Sequence, residues 1–131
     1  VLVIVNLNKI NDLTVQLDKN LIETGENLGC YIKINYAGRF DSIVINSQIE
    51  NSSDVFNYIK VNGKKINHPY ARLSLLKQEI SPSNEIEFTI TTSHIPPNLT
   101  SNARLRVSLI QEHKEIMNEV TNFKITNKPS V

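Results

Sequence analysis

Apolar and polar residues alternate along most of this chain. Leu13, Val15 and Leu17 alternate with Thr14 and Gln16, and Leu28, Cys30, Ile32, Ile34 and Tyr36 alternate with Gly29, Tyr31, Lys33 and Asn35. Ile43, Ile45, Ser47 and Ile49 share one parity against Val44, Asn46 and Gln48. Ile86, Phe88 and Ile90 are interleaved with Glu87 and Thr89, and Leu105, Val107 and Leu109 with Arg104, Arg106 and Ser108. A period of two is the signature of a strand with one buried face. Val120 and Phe123 mark a last strand whose odd spacing a β-bulge near Thr121-Asn122 would reconcile.

Turn residues punctuate these runs. Thr24-Gly25-Glu26-Asn27 and Ala37-Gly38-Arg39 stand between strands, and Ser81-Pro82-Ser83-Asn84 and His94-Ile95-Pro96-Pro97-Asn98 are breaks. Asn62-Gly63, flanked by Ile59-Lys60-Val61 and Lys64-Lys65-Ile66, has the two-residue hairpin signature. Tyr70 to Ile80 fits either period and reads as a strand or an irregular connection. The expected fold is all-β: a two-sheet antiparallel sandwich of the immunoglobulin kind with about seven or eight short strands. Its inter-sheet core should hold Leu17, Leu28, Cys30, Ile32, Ile34, Phe88, Ile90, Leu105, Val107 and Leu109, each on the apolar parity of its strand.

The chain has 131 residues, the size of one domain with its own core, so residues 1–131 are expected to form a single sandwich domain. The absent initiator Met and the Lys128-Pro129-Ser130-Val131 ending point to a piece of a longer chain. A formal net charge of +1 provides no strong field, which argues against nucleic acid as a partner. Val1-Leu2-Val3-Ile4-Val5 is too short to span a bilayer and lacks the flanks of a signal peptide, so membrane contact is expected only through a partner or an unseen segment.

The chemistry of a catalyst is hard to find in the sequence. Cys30 is the only cysteine, which excludes an internal disulfide and a multi-cysteine zinc site, and its parity buries it. His68, His94 and His113 stand at no metal-ligand spacing from one another or from an aspartate, and read as two loop histidines and one at a strand end. No phosphate-cradling glycine loop and no nucleophile elbow occur. No enzyme activity, cofactor or metal is therefore expected. Tryptophan is absent, which leaves a carbohydrate site without its aromatic platform.

Four surface features remain. Lys60, Lys64 and Lys65 surround the Asn62-Gly63 turn; they could meet an acidic partner, although lysines there also keep an edge hairpin from pairing. Arg104 and Arg106 take the solvent parity of their strand. Val1, Val3 and Val5 belong to an apolar run with no polar alternation, which suits either a strand buried on both faces or an edge strand that meets another chain, including a second subunit. Asn51-Ser52-Ser53 and Asn98-Leu99-Thr100 match the N-glycosylation acceptor pattern.

Three stretches carry a resemblance. Leu17-Asp18-Lys19 is followed by Glu23-Thr24-Gly25-Glu26-Asn27-Leu28-Gly29 and a strand, and later Ile95-Pro96-Pro97-Asn98-Leu99 precedes the strand from Arg104 to Leu109. Their order resembles the opening and late portions of an arrestin-type lobe, with Thr24 where that family has proline and Asn98 where it has serine. The resemblance implies a protein-binding adaptor or trafficking-complex subunit in the cytoplasm, with a protein partner. The alternative is an extracellular immunoglobulin-like module for cell-surface adhesion or assembly.

Overall fold

The computed structural model describes residues 11–127. Its strands are β1 (Leu13–Leu17), β2 (Leu21–Glu23), β3 (Leu28–Ile34), β4 (Ser42–Ile49), β5 (Asn57–Val61), β6 (Lys64–His68), β7 (Arg72–Leu76), β8 (Glu85–Thr91), β9 (Thr100–Gln111) and β10 (Lys114–Thr126), with a 3₁₀ turn at Lys77–Glu79. One sheet has the order β1-β3-β8-β5-β6 and the other β2-β10-β9-β4-β7. The protein is thus an all-β two-sheet sandwich. The Tyr70–Ile80 stretch resolves into β7 followed by the 3₁₀ turn.

Alternation explains the layering. The inward residues of β3 and β8 (Leu28, Cys30, Ile32, Ile34, Ile86, Phe88, Ile90) meet those of β4, β9 and β10 (Ile43, Ile45, Leu105, Val107, Leu109, Phe123, Ile125), and all are buried. Tyr58 and Phe56 close the core at its β5 end, with the Phe56 and Phe123 ring centroids 5.5 Å apart. Burial pushes the Tyr58 hydroxyl up to about 12, and it donates 3.4 Å to the carbonyl of Ile45.

Four expectations need correction. Leu17 is half-buried rather than in the centre of the core, because among the described residues β1 is the last strand of its sheet. The sandwich is not purely antiparallel: β2 runs parallel to β10, pairing Ile22 with Ile125. It has more strands than expected, because short β2 and β7 leave little periodicity to read. The bulge in β10 lies between Glu115 and Met117, not at Thr121-Asn122. Val120 and Phe123 are oddly spaced because they point to opposite faces: Thr121, Phe123 and Ile125 turn inward and Val120 outward.

Two hairpins use left-handed turn residues. Asn62 and Gly63 have φ of 48° and 82°, as the sequence signature requires. The β9–β10 turn places Glu112 and His113 at φ of 49° and 65° with no glycine to relieve them, which hid this turn from sequence reading.

Candidate functional site: a pinned loop at one end of the sandwich

His94 organises one end of the sandwich. It sits in the β8–β9 connection and is 6% exposed. Its Nδ1 lies 2.7 Å from Asp54 Oδ2, in the β4–β5 connection, and its Nε2 lies 2.8 Å from Ser101 Oγ, near the start of β9. The carboxylate can only accept, so Nδ1 donates to it, and Nε2 shares a hydrogen bond with the serine hydroxyl. The bond from His94 holds the Asp54 carboxyl below the usual aspartate range. Sequence spacing missed this site because its partners lie 40 and 7 residues away and meet only through the sheet topology.

Backbone bonds continue the pinning. The His94 N–H donates to Thr92 Oγ1 at 3.1 Å, and the Thr92 hydroxyl donates to the Val55 carbonyl at 2.9 Å. Thr24 in the β2–β3 turn donates its hydroxyl to the His94 carbonyl at 2.7 Å, and the Gly25 N–H donates to the Thr92 carbonyl at 2.9 Å. On the far side of the loop, Asn127 Nδ2 reaches the carbonyls of Pro96 and Asn98, each at 3.4 Å, and the Thr126 hydroxyl donates to the Leu99 carbonyl at 3.2 Å. Pro96 is buried.

This scaffold holds two large aliphatic side chains out in water. Ile95 is 71% and Leu99 87% exposed, and Val55, on the neighbouring loop, is also exposed. Single exposed hydrophobes are ordinary. What distinguishes these is that the backbone beneath them is fixed at four carbonyls, so little ordering remains to be done when a surface covers them. Asp54, with one carboxylate oxygen on His94, adds an acidic group beside them.

The connectivity Asp54–His94–Ser101 is that of a nucleophilic relay, but accessibility runs the other way. Ser101 is 8% exposed on the inward parity of β9, whereas the Asp54 side chain is 58% exposed. The hydroxyl faces the core and the carboxylate faces solvent. The arrangement ties the β4–β5 and β8–β9 connections to the start of β9 without presenting a nucleophile.

The residues singled out by sequence are spread over the molecule. Lys60, Lys64 and Lys65 are exposed on the β5–β6 hairpin, with Lys60 directly opposite Lys65 and β6 at the sheet edge. They lie on strands away from the His94 loop. Val1, Val3 and Val5 fall outside the described residues. His68 is half-buried, tilted against Tyr58 and Tyr70, and its Nε2 lies 2.7 Å from the Arg72 carbonyl. His113 is exposed in the β9–β10 turn. Burial pushes the Cys30 thiol up, away from the thiolate a nucleophile needs. Arg104 and Arg106 face solvent on β9: Arg104 bonds Gln48 Oε1 and Arg106 bonds Glu115 Oε2, both across strands. Asn51 and Asn98 are both exposed on loops at the His94 end.

Two packed sheets of five strands each define a β-sandwich. Solved structures share this fold. The CFA/I adhesin CfaE of enterotoxigenic E. coli matches with a TM-score of 0.57 and 10% identity over 92% of this chain, which spans 49% of that protein. A conjugative transposon lipoprotein from Bacteroides eggerthii matches with a TM-score of 0.53 and 13% identity, over 87% of this chain and 96% of that one. The reeler domain of human F-spondin matches with a TM-score of 0.53 and 11% identity, over 90% and 89%. At such identities the likeness is one of fold. No protein-family model and no curated protein matches the chain.

The arrestin resemblance gains no support from these structures. Local geometry accounts for its residues. Lys19 pairs with Glu26 across the β2 corner. The Asp18 N–H donates to the Gly29 carbonyl, and Asp18 Oδ1 accepts from the Gly29 N–H, both at 3.0 Å. A Cβ on residue 29 would stand 2.6 Å from Asp18 Oδ2, so a larger residue there would displace the exposed Asp18 carboxylate.

Proposed function

We propose that this chain is a non-enzymatic protein-interaction domain of the extracellular adhesion or surface-assembly kind, which meets a protein partner through the Ile95–Leu99 loop. The observation that carries the reading is the pairing of two highly exposed aliphatic side chains with a loop tied down at the carbonyls of His94, Pro96, Asn98 and Leu99. A pre-organised apolar contact suits recognition. The inverted accessibility of Ser101 and Asp54 and the buried thiol of Cys30 support the absence of catalysis. The adhesin and the lipoprotein among the fold neighbours agree with a surface setting, although fold alone does not carry function. No observed feature of the structure favours the arrestin-like adaptor reading.

The test is a photo-crosslinking side chain placed at position 99 in the native host, with position 114, exposed at the opposite end of β9 from the loop, as control. The expected result is one protein adduct at 99 that disappears in an Ile95→Asp background. Adducts of equal yield at both positions, or adducts indifferent to Ile95→Asp, would sink the assignment. Covalent labelling of Ser101 by a fluorophosphonate in the folded protein would overturn the non-enzymatic half.

A further inference from the structure

We infer that the outer face of the first sheet carries a second binding site, a hollow over Gly29 that takes one ring of a neutral sugar. The hollow has a volume of about 410 Å³ and is walled by residues of β1, β3, β5 and β8. It shares no lining residue with the Ile95–Leu99 loop, so it stands independently of the protein-binding reading.

The strand register builds it. Leu28, Cys30 and Ile32 of β3 turn into the core, so Gly29 and Tyr31 take the outer face. Gly29 pairs with Thr89, and Thr89 with Lys60; on its other side the Gly29 carbonyl accepts from the Asp18 N–H. In the next outward row, Tyr31 pairs with Gln16 on one side and Glu87 on the other. Partners in a ladder project to the same face. Six side chains therefore stand round a residue that has none, and Gly29 is the floor.

Backbone freedom does not explain this glycine. Gly25 and Gly63 hold left-handed φ values, whereas Gly29 does not. Glycine inside a strand weakens it and marks places where another group approaches the backbone closely. Two walls are fixed beside the floor. Asp18 Oδ1 accepts from the Gly29 N–H at 3.0 Å, which leaves Oδ2 leaning over the glycine. The Tyr31 hydroxyl donates to Glu85 Oε1 at 2.6 Å, and this bond holds the ring at the rim.

The chemistry of the walls selects the occupant. Asp18 and Glu87 accept hydrogen bonds, Lys60 donates them, and Gln16 and Thr89 do both. Tyr31 adds an apolar ring. Sugar hydroxyls donate and accept, and the C–H patches of a pyranose suit an aromatic surface, so one ring uses every kind of group present. An aliphatic side chain would strip water from the two carboxylates and the ammonium without replacing it. A phosphate would meet two carboxylates and one lysine, a wall of the wrong sign. Tyr31 supplies the ring that a chain without tryptophan does not advertise, and Lys60 gains a role as a donor at the rim. One sugar ring in an open hollow binds weakly, with a Kd on the order of 1–10 mM.

Amide nitrogen–proton NMR spectra of the full chain test this, titrated with the methyl glycosides of glucose, galactose, mannose and N-acetylglucosamine to about 100 mM, well above the expected Kd. At least one glycoside should give saturable shifts centred on Asp18, Gly29, Tyr31, Lys60 and Thr89. No saturable shift with any of them, or shifts centred elsewhere, would overturn the inference. Gly29→Ala fills the floor and should raise the Kd at least about tenfold, while an unchanged Kd in the folded variant would refute the site. Should Gly29→Ala unfold, Lys60→Met decides, because that side chain is exposed and its loss spares the core. It should raise the Kd about fivefold, the worth of one hydrogen bond, and an unchanged value would count against the hollow. N-acetyl-lysine methylamide serves as the competing probe. If it saturates the same amides at lower concentration than every glycoside, the hollow belongs to a basic peptide side chain and the sugar assignment falls.

Discussion

His94 Nε2 and Ser101 Oγ, 2.8 Å apart inside the end of the sandwich, join the β8–β9 loop to the strand that follows it. Replacing His94 by alanine strands the buried serine hydroxyl and frees Asp54 at once. His94→Ala should therefore cost about 2–3 kcal/mol, the penalty for a cavity plus an unsatisfied buried hydroxyl. Ser101→Ala should cost less, and the double variant should fall short of the sum by about 0.5–2 kcal/mol because both lose the same bond. Urea denaturation measures all of these. Strict additivity would mean that the two side chains do not act as a unit.

Acid should weaken the fold through identified carboxylates. The bond from His94 lowers Asp54, the Tyr31 hydroxyl lowers Glu85, and the Ser108 hydroxyl, ahead of Arg106 and Asn118, lowers Glu115. A group whose folded pKa is depressed adds stability that is full above its unfolded value and lost as pH falls through the folded one. The unfolded references are 3.8 for Asp54 and 4.5 for the glutamates, so the loss is expected below about pH 4.5. Denaturation midpoints taken from pH 6 downward should fall less steeply for Asp54→Asn than for the parent chain. Superimposable profiles would remove Asp54 from the account.

The facing core positions can be ranked. Phe88 and Val107 are both buried between the sheets. Phe88→Ala should destabilise by about 3–4 kcal/mol and Val107→Ala by about 1–3 kcal/mol, the aromatic leaving the larger cavity. Chemical denaturation with an unchanged m-value is the appropriate measurement. Costs below about 0.5 kcal/mol would be those of surface positions.

A gain is expected at the β9–β10 turn. His113 holds a φ of 65° without glycine's freedom, while its neighbour Glu112 is fixed by its N–H to Asp41 Oδ2 at 2.7 Å. His113→Gly relieves the left-handed strain and should raise stability by about 0.5–1 kcal/mol. A fall in melting temperature would show that the imidazole makes a contact worth more than the strain it causes.

The strands with one buried face were legible from alternation alone. Cys30, Ile32, Phe88, Ile90, Leu105 and Val107 enter the core on the parity that their spacing assigns, because a period of two in the sequence maps directly onto the two faces of a pleat. Asn62-Gly63 was equally readable, since its left-handed φ values are a local property of those two residues. Strands β2 and β7 were harder, because so few residues show little period and their identity depends on a neighbour to pair with.

The sequence by itself determined the sandwich, most of its inward residues and the hairpin turn, all of which rest on local backbone preference and the alternation of side chains along single strands. Tertiary structure alone decided which strands end the sheets, and so why Leu17 stays half-buried. It alone decided that Asp54, His94 and Ser101 meet, because that contact depends on how β4, β8 and β9 bring their ends together. The exposure of Ile95 and Leu99 belongs to the same class. Whether an aliphatic side chain beside two prolines is buried depends on what the rest of the chain places over it, and no spacing along the sequence encodes that.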